Sequence, residues 1–435
     1  MNRISPERAV RRPGPLLLLI ALLGLVSACV TNDAIEPAGS ESLHQPASSD
    51  VRVMSWNVKM SSILPPNGVR HESFARIVRA LDPDVIALQE VMWPGLATTL
   101  SQLMDSHVPL EDGRSWSVHT VSDNVLISRY PMRWQGGELA TPYPLPQLGL
   151  PNFHHGFAAA LLELPDSADL LVIGMHNKSG AGDNDVRLRQ EHADAVVRWI
   201  RDGRESQQKH SIADDTPIVI LGDMNAVPNA SLAPLSTLLS GDIADEETFG
   251  PDFTIDWDGT DMTDAKPSHN AAGREYYTWR NDNMPFAPSA LDRILYTDSV
   301  MLVRNRFVLN TMTLSPDDLA ELGLQQSDAL YGGDPNYYDH LPLVADFEIT
   351  STSSSGHGEQ RDAELQPCTE EWQRYVEERV QTGDSEGHGP DVGSMEWQSV
   401  VEFTLGIRGN PGVPSRETVD WCRHIDERLP DAATR

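Results

Sequence analysis

Pro217-Ile218-Val219-Ile220-Leu221-Gly222-Asp223-Met224-Asn225 is an apolar, β-branched run that closes on a glycine and passes to a carboxylate and a carboxamide two residues apart. The run has the length of a buried strand, and a period of two puts Asp223 and Asn225 on one face. Gly-Asp-x-Asn also makes ordinary turns whose side chains bond their own backbone, so the stretch is not decisive alone. It becomes decisive because comparable runs elsewhere end in the same kinds of residue. Val51-Arg52-Val53-Met54-Ser55-Trp56-Asn57 ends on an amide, and Asp84-Val85-Ile86-Ala87-Leu88-Gln89-Glu90 ends on an acid. Leu170-Leu171-Val172-Ile173-Gly174-Met175-His176-Asn177 reaches a histidine, while Leu291-Asp292-Arg293-Ile294 and Tyr338-Asp339-His340-Leu341 add two acids and a second histidine. Singly, each reads equally well as a turn former, a helix cap or a solvated strand end. Jointly they imply one cleft at the ends of a sheet.

Helical patterns alternate with these strands, at 72–81, 97–104 and 186–200. In the last, Val186, Ala193, Val196, Val197 and Ile200 recur at helical spacing, which makes His192 a helix-surface residue and Arg187 and Arg189 a solvated face. His154 and His155 lie in a Pro-rich loop and read as solvated. Lys178 follows His176-Asn177 and reads equally as an anion contact or an exposed loop lysine. Residues 142–151 read as an apolar loop at the cleft rim.

The chain carries 64 acids against 33 bases, a formal charge of -31, whereas a tight, processive binder of nucleic acid needs a basic face. At the N-terminus, Arg3, Arg8, Arg11 and Arg12 precede an apolar run over 16–26 that is too short to span a membrane as a mature helix. Val26-Ser27-Ala28-Cys29 then resembles the bacterial lipoprotein cleavage box. The expectation is a signal peptide over 1–28, lipid on Cys29 and a flexible tether over 29–50, which anchors the protein to a membrane of the bacterial cell envelope facing the periplasm. A plain signal peptide with an incidental cysteine is the alternative.

An exported chain lets Cys368 and Cys422 pair. They bracket a small module over 367–435, set off by a Ser/Gly-rich linker over 350–366, with helices expected at 370–380, 395–405 and 416–429. His388, Asp384 and Asp391 in its Gly-rich turn read as turn residues rather than a metal site. A docking role toward an unknown partner is the default for this module.

In order and wording, Trp56-Asn57, Leu88-Gln89-Glu90, Asn124-Val125-Leu126-Ile127-Ser128-Arg129-Tyr130-Pro131, Met175-His176, Gly222-Asp223-Met224-Asn225, Leu291-Asp292-Arg293-Ile294 and Asp339-His340-Leu341-Pro342 resemble the endonuclease/exonuclease/phosphatase family of divalent-metal phosphoesterases, over residues 51–349. Tyr338 stands where the family often has Ser, and the long segment 240–288 is a further departure. The resemblance implies an α/β fold, a four-layer sandwich of two mixed β-sheets flanked by helices, to which the mainly helical C-terminal module is added. It implies Glu90 as the main metal ligand, with Asn57 and Asp339 beside the ion. Asp223 would orient and deprotonate the attacking water, Asn225 would hold the phosphate or that water, His340 oriented by Asp292 would donate to the phosphate, and His176 would be a second donor. No Cys cluster or close His set suits zinc, whereas dispersed carboxylates and amides suit Mg2+, or Mn2+. The activity so implied is Mg2+-dependent hydrolysis of phosphodiesters, DNase-like, with nucleic acid as a candidate substrate. A sphingomyelinase-like or inositol/sugar phosphate activity is the alternative within the class, and a non-catalytic binding lipoprotein the alternative outside it.

Overall fold

The computed structural model describes residues 40–429 except 61, 65–67, 69, 93–95, 111–112, 146–148, 166–167, 206–209, 272, 351–367 and scattered positions between 369 and 427. The expected signal peptide, Cys29, linker residues 351–366, and Asp384, His388 and Asp391 lie outside the described residues.

Two mixed sheets form the centre. The seven-stranded sheet runs, in spatial order, Ser268–His269, Met301–Val308, Leu343–Ile349, Val51–Asn57, Val85–Gln89, Asn124–Ser128, Ser117–Val121. The six-stranded sheet runs Thr263–Asp264, Asp292–Tyr296, Ile218–Asp223, Leu170–His176, Gly156–Leu162, Met132–Leu139. Strand alternation decides what each face meets. Val51, Val53, Val85 and Ala87 pack against Ala158, Ala160, Val172, Val219 and Leu221 between the sheets. The alternate residues Met54, Trp56, Ile86 and Leu88 face outward and are covered by helices His71–Leu81 and Leu96–His107. On the other side Ile173, Met175, Ile218 and Ile220 are covered by the helix Asp183–Glu205 through Ala193, Val196, Val197 and Ile200. Both faces of the central strands are therefore buried, which is why these strands read as continuous apolar runs. The result is the four-layer sandwich expected.

Helix His71–Leu81 follows from Phe74, Ile77, Val78 and Leu81 at one-face spacing, and it stops where Asp82 turns left-handed, φ 45°, with its N–H on the Val78 carbonyl. Two glycines bring the cleft ends together. A Cβ on Gly174 would stand 2.9 Å from Leu126 Cδ2 on the facing sheet, and one on Gly222, at φ +146°, would stand 2.0 Å from the Met175 carbonyl oxygen.

Two expectations change. The expected tether takes in residues 40–50, yet Leu43 is buried in the outer core, and Ser40 donates to Asp318 and Glu321 at 2.7 Å each. Burial of that leucine holds the segment to the sandwich. The apolar stretch 142–151 contributes two paired strands, Tyr143–Leu145 and Leu150–Phe153, because Tyr143 and Phe153 pack on Leu188.

The C-terminal module is small and helical, with Met395–Thr404 and Val419–Asp426 as its described continuous helices. Three fully buried tryptophans, Trp372, Trp397 and Trp421, make its core, and Cys368 and Cys422 are joined across a Cα separation of 5.5 Å. The indoles of Trp397 and Trp421 donate to Glu377 and Glu402, which satisfies their polar edges. Among the described residues, no helix is long and apolar enough to cross a membrane.

Candidate active site

Strand register assembles one row across the six-stranded sheet. Asp223 pairs with His176 on the parallel side and with Asp292 on the antiparallel side. On the seven-stranded sheet Asn57 pairs with Gln89, so Glu90 comes one residue past the end of its strand. The strand Tyr337–His340 lies over both, tied by pairing with Trp279–Asn281 and by the Trp56 indole N–H on the His340 carbonyl at 3.0 Å.

Asp223 is the centre. Its Oδ2 accepts from Asn57 Nδ2 at 3.1 Å and lies 3.5 Å from His176 Nε2 and 3.6 Å from His340 Nε2. Its Oδ1 accepts the Asn225 backbone N–H at 2.9 Å, while Asn225 Nδ2 donates to the Asn177 carbonyl at 2.9 Å. Asn57 Nδ2 also reaches Glu90 Oε1 at 3.1 Å, and the Met60 N–H donates to Glu90 Oε2 at 3.0 Å. Glu90, Asn225 and Asp339 all adopt left-handed backbone, at φ 61°, 45° and 57°. Three non-glycine residues in that region, Glu90 and Asn225 just past strand ends and Asp339 within its short strand, concentrate strain at one place, as functional sites do.

Each histidine has a carboxylate behind it. His340 Nδ1 lies 2.8 Å from Asp292 Oδ2, which also accepts from the Thr278 hydroxyl. His176 Nδ1 lies 2.6 Å from Asp123 Oδ2. Burial opposes charge on His340, but Asp292, Asp223 and the hydrogen bond to Asp292 outweigh it and raise its pKa to about 10. Burial likewise opposes charge on His176, and Asp123 with Asp223 and Glu90 overcomes it, raising the pKa to about 9. For Asp223, burial and the charge of Asp292 win over the two histidines, and its pKa is raised.

Asp339 pairs with Lys59 Nζ through Oδ1 at 3.3 Å, and its buried Oδ2 has no hydrogen-bond partner. That orphaned oxygen, the remaining lone pairs of Glu90 and the Asn57 carboxamide make an all-oxygen donor set, which fits a hard divalent ion. Two other groups bring His and carboxylate atoms within 4.8 Å of one another, Asp123 with His155 and His176, and Asp223 with Asp292 and His340. The hydrogen bonds from Nδ1 to carboxylate already account for both.

Sequence reading missed Asp123, whose place beside Ser122 reads as a turn; its position immediately before the Asn124–Ser128 strand was the available signal. Three further side chains are not where periodicity and loop composition put them. His155 is buried rather than solvated, because the rim hairpin folds it onto Asp123 and Tyr143. His192 faces inward, its Nδ1 2.6 Å from Asn177 Oδ1, and burial lowers its pKa to about 3. Arg189 is also buried, donating to the Lys178 and Gly180 carbonyls at 2.7 Å each and so tying down the loop after His176. Arg187 is exposed and pairs with Glu191. Lys178 pairs with Asp185 at 3.2 Å and lies over the Tyr143 ring.

Among solved structures the chain is similar to the human Nocturnin catalytic domain, at 16% identity over 69% of this chain and 94% of that one, with a TM-score of 0.42. It is also similar to ANGEL2, a 2',3'-cyclic phosphatase, at 15% identity over 70% and 96%, with a TM-score of 0.45. A third is beta toxin from Staphylococcus aureus, at 17% identity over 68% and 99%, with a TM-score of 0.44. No curated protein matches the chain. Residues 54–312 match the sequence profile of the Endonuclease/Exonuclease/phosphatase family. The chain therefore belongs to that family of divalent-metal-dependent hydrolases of phosphate esters.

Proposed function

We propose that this protein is an exported, lipid-anchored, Mg2+-dependent phosphodiesterase with DNase-like activity. The observation that carries the hydrolytic reading is the surround of Asp223: a buried carboxylate with an amide and two imidazoles converging on one of its oxygens. A phosphodiester is an anion, and its hydrolysis needs an activated water and cationic or N–H donors on the phosphate oxygens. Asp223, with its raised pKa, accepts the proton as water forms the new P–O bond and the bond to the leaving oxygen breaks. Asn225, held by the Asn177 carbonyl, positions the phosphate or the water. His340 and His176 are charged at neutral pH and donate from Nε2 to the phosphate oxygens, with Asp292 and Asp123 fixing the rings. Glu90, Asn57 and Asp339 would hold a divalent cation, which when bound would supply charge neutralisation at the phosphate and at the leaving oxygen.

Export and the lipid anchor rest on the Arg-rich start, the short apolar run and the box ending at Cys29. A second reading, cleavage of a phospholipid headgroup, is favoured by Tyr276, Met284 and Phe286, large apolar side chains left exposed on either side of the Trp279–Asn281 strand that pairs with His340. Plasmid DNA, sphingomyelin and bis(p-nitrophenyl) phosphate, each incubated with Mg2+ and a soluble chain starting after Cys29, separate these. DNA cleavage abolished by EDTA supports the proposal. Turnover of sphingomyelin alone moves the assignment to the second reading, and no turnover of any of the three overturns both.

The pH dependence has a defined sign. Asp223 must be ionised, so kcat/KM rises as pH climbs through its raised pKa. It falls again as His176 near 9 and then His340 near 10 lose their protons. A rate profile on bis(p-nitrophenyl) phosphate from pH 4 to 11 checks this, and an acid limb in the ordinary carboxylate range contradicts it.

A further inference from the structure

Two imidazoles meet on one carboxylate behind the site. Asp123 is 1% exposed; His176 Nδ1 is 2.6 Å from its Oδ2, and His155 Nδ1 is 3.3 Å from both of its oxygens, with the hydrogen bond directed at Oδ1. The two rings lie 4.0 Å apart, centroid to centroid. On its far side His155 Nε2 meets the Tyr143 hydroxyl.

Hydrogen counting orders the chain. Burial opposes the charge of Asp123, yet its two histidines hold its pKa well below the usual carboxylate range, so it is ionised and only accepts. Both Nδ1 atoms therefore carry hydrogen. His155 is kept neutral by burial and by the charge on His176, with a pKa of about 4, so its Nε2 has a free lone pair and Tyr143 must be the donor there. The sequence of donation is Tyr143 to His155, His155 to Asp123 Oδ1, and His176 to Asp123 Oδ2.

We propose that His155 and Tyr143 are positioning residues for His176: by occupying Oδ1 they fix the rotation of the Asp123 carboxylate, hold Oδ2 on His176 Nδ1 and so aim His176 Nε2 at Asp223. The inference rests on the reading of His176 as a phosphate donor. Without His155, the remaining hydrogen bond to Oδ1 among the described residues is from the Asn124 amide, at 3.4 Å, and a buried carboxylate oxygen that loses a donor turns toward another. Tyr143 sits on the rim hairpin Tyr143–Leu145/Leu150–Phe153, and Phe153 packs edge-on against His155 with centroids 4.9 Å apart. The hairpin at the mouth of the cleft is thus coupled to the catalytic imidazole through three hydrogen bonds.

His155→Phe keeps a ring and removes the donor. His155→Gln restores an amide N–H toward Asp123 and an oxygen toward Tyr143. With bis(p-nitrophenyl) phosphate, His155→Phe is expected to lower kcat by roughly 10–100-fold, the range for partners that orient a working imidazole. KM changes little, and His155→Gln recovers most of the loss. In 15N-histidine NMR spectra of the same soluble chain, the His176 Nδ1–H signal and its titration shift in His155→Phe and, to a smaller extent, in Tyr143→Phe. A folded His155→Phe with wild-type kcat and an unchanged His176 signal overturns the proposal; if that variant does not fold, an unchanged His176 signal in Tyr143→Phe does so. Should the wild type hydrolyse no phosphate ester, the functional reading fails, and the His176 signal still decides the positioning of the ring.

Discussion

Replacing Asp223 by asparagine lowers kcat by about 10²–10⁴-fold, the span expected when a positioned general base is removed. The substitution keeps the volume and the neighbours. The Asn225 N–H still finds an oxygen, and the Gly222 backbone that presses against Met175 is untouched. What is lost is the acceptor for the water's proton and the negative charge that His176 and His340 face. Initial rates on a phosphodiester, read beside a far-ultraviolet circular dichroism spectrum, measure the effect. A well-folded variant retaining a tenth of the wild-type rate removes Asp223 from the role of base. The carboxylate also helps hold both imidazoles in their charged form, so the alkaline limb of the rate profile moves to lower pH in Asp223→Asn. Loss of an opposite charge lowers the pKa of a cation, which gives the shift its sign.

Arg52→Met destabilises the fold by about 3–5 kcal/mol, the cost of leaving one partner of a buried ion pair uncompensated. Arg52 and Asp346 are cross-strand neighbours, joined by two parallel bonds of 2.6 and 2.7 Å, and are 2% and 0% exposed. The same guanidinium donates to the Leu81 carbonyl at 2.7 Å, so it also binds the end of helix His71–Leu81 to the sheet. Urea unfolding of wild type, Arg52→Met, Asp346→Leu and the double variant decides the matter. The double variant is expected to recover much of the loss, since two apolar groups need no partner. A single-variant cost below about 1 kcal/mol would mean that water reaches Asp346 and that the pair behaves like a surface bridge.

The central strands of the sandwich were readable because burial on both faces imposes largely apolar, β-branched runs that close on a polar residue, with the Arg52–Asp346 pair as a buried exception. Asn57, Asp223, His176, Asp292 and His340 stood out for that reason; register puts Asp223 beside His176 and Asp292, and packing of the other sheets brings Asn57 and His340 to it. Asp123 did not stand out, since an acid in a two-residue turn is the commonest thing an acid does.

Residue type and period marked the strands, their polar ends and the alternating helices, and the family resemblance implied the four-layer arrangement. Only the tertiary structure decided that His155, His192 and Arg189 are buried, that Leu43 fastens residues 40–50 to the core, and that Asp123 sits behind His176. Periodicity within an element ranks its faces by polarity, but which neighbour covers a face, and whether that neighbour brings a carboxylate or a carbonyl to satisfy a buried imidazole or guanidinium, depends on chain segments distant in sequence.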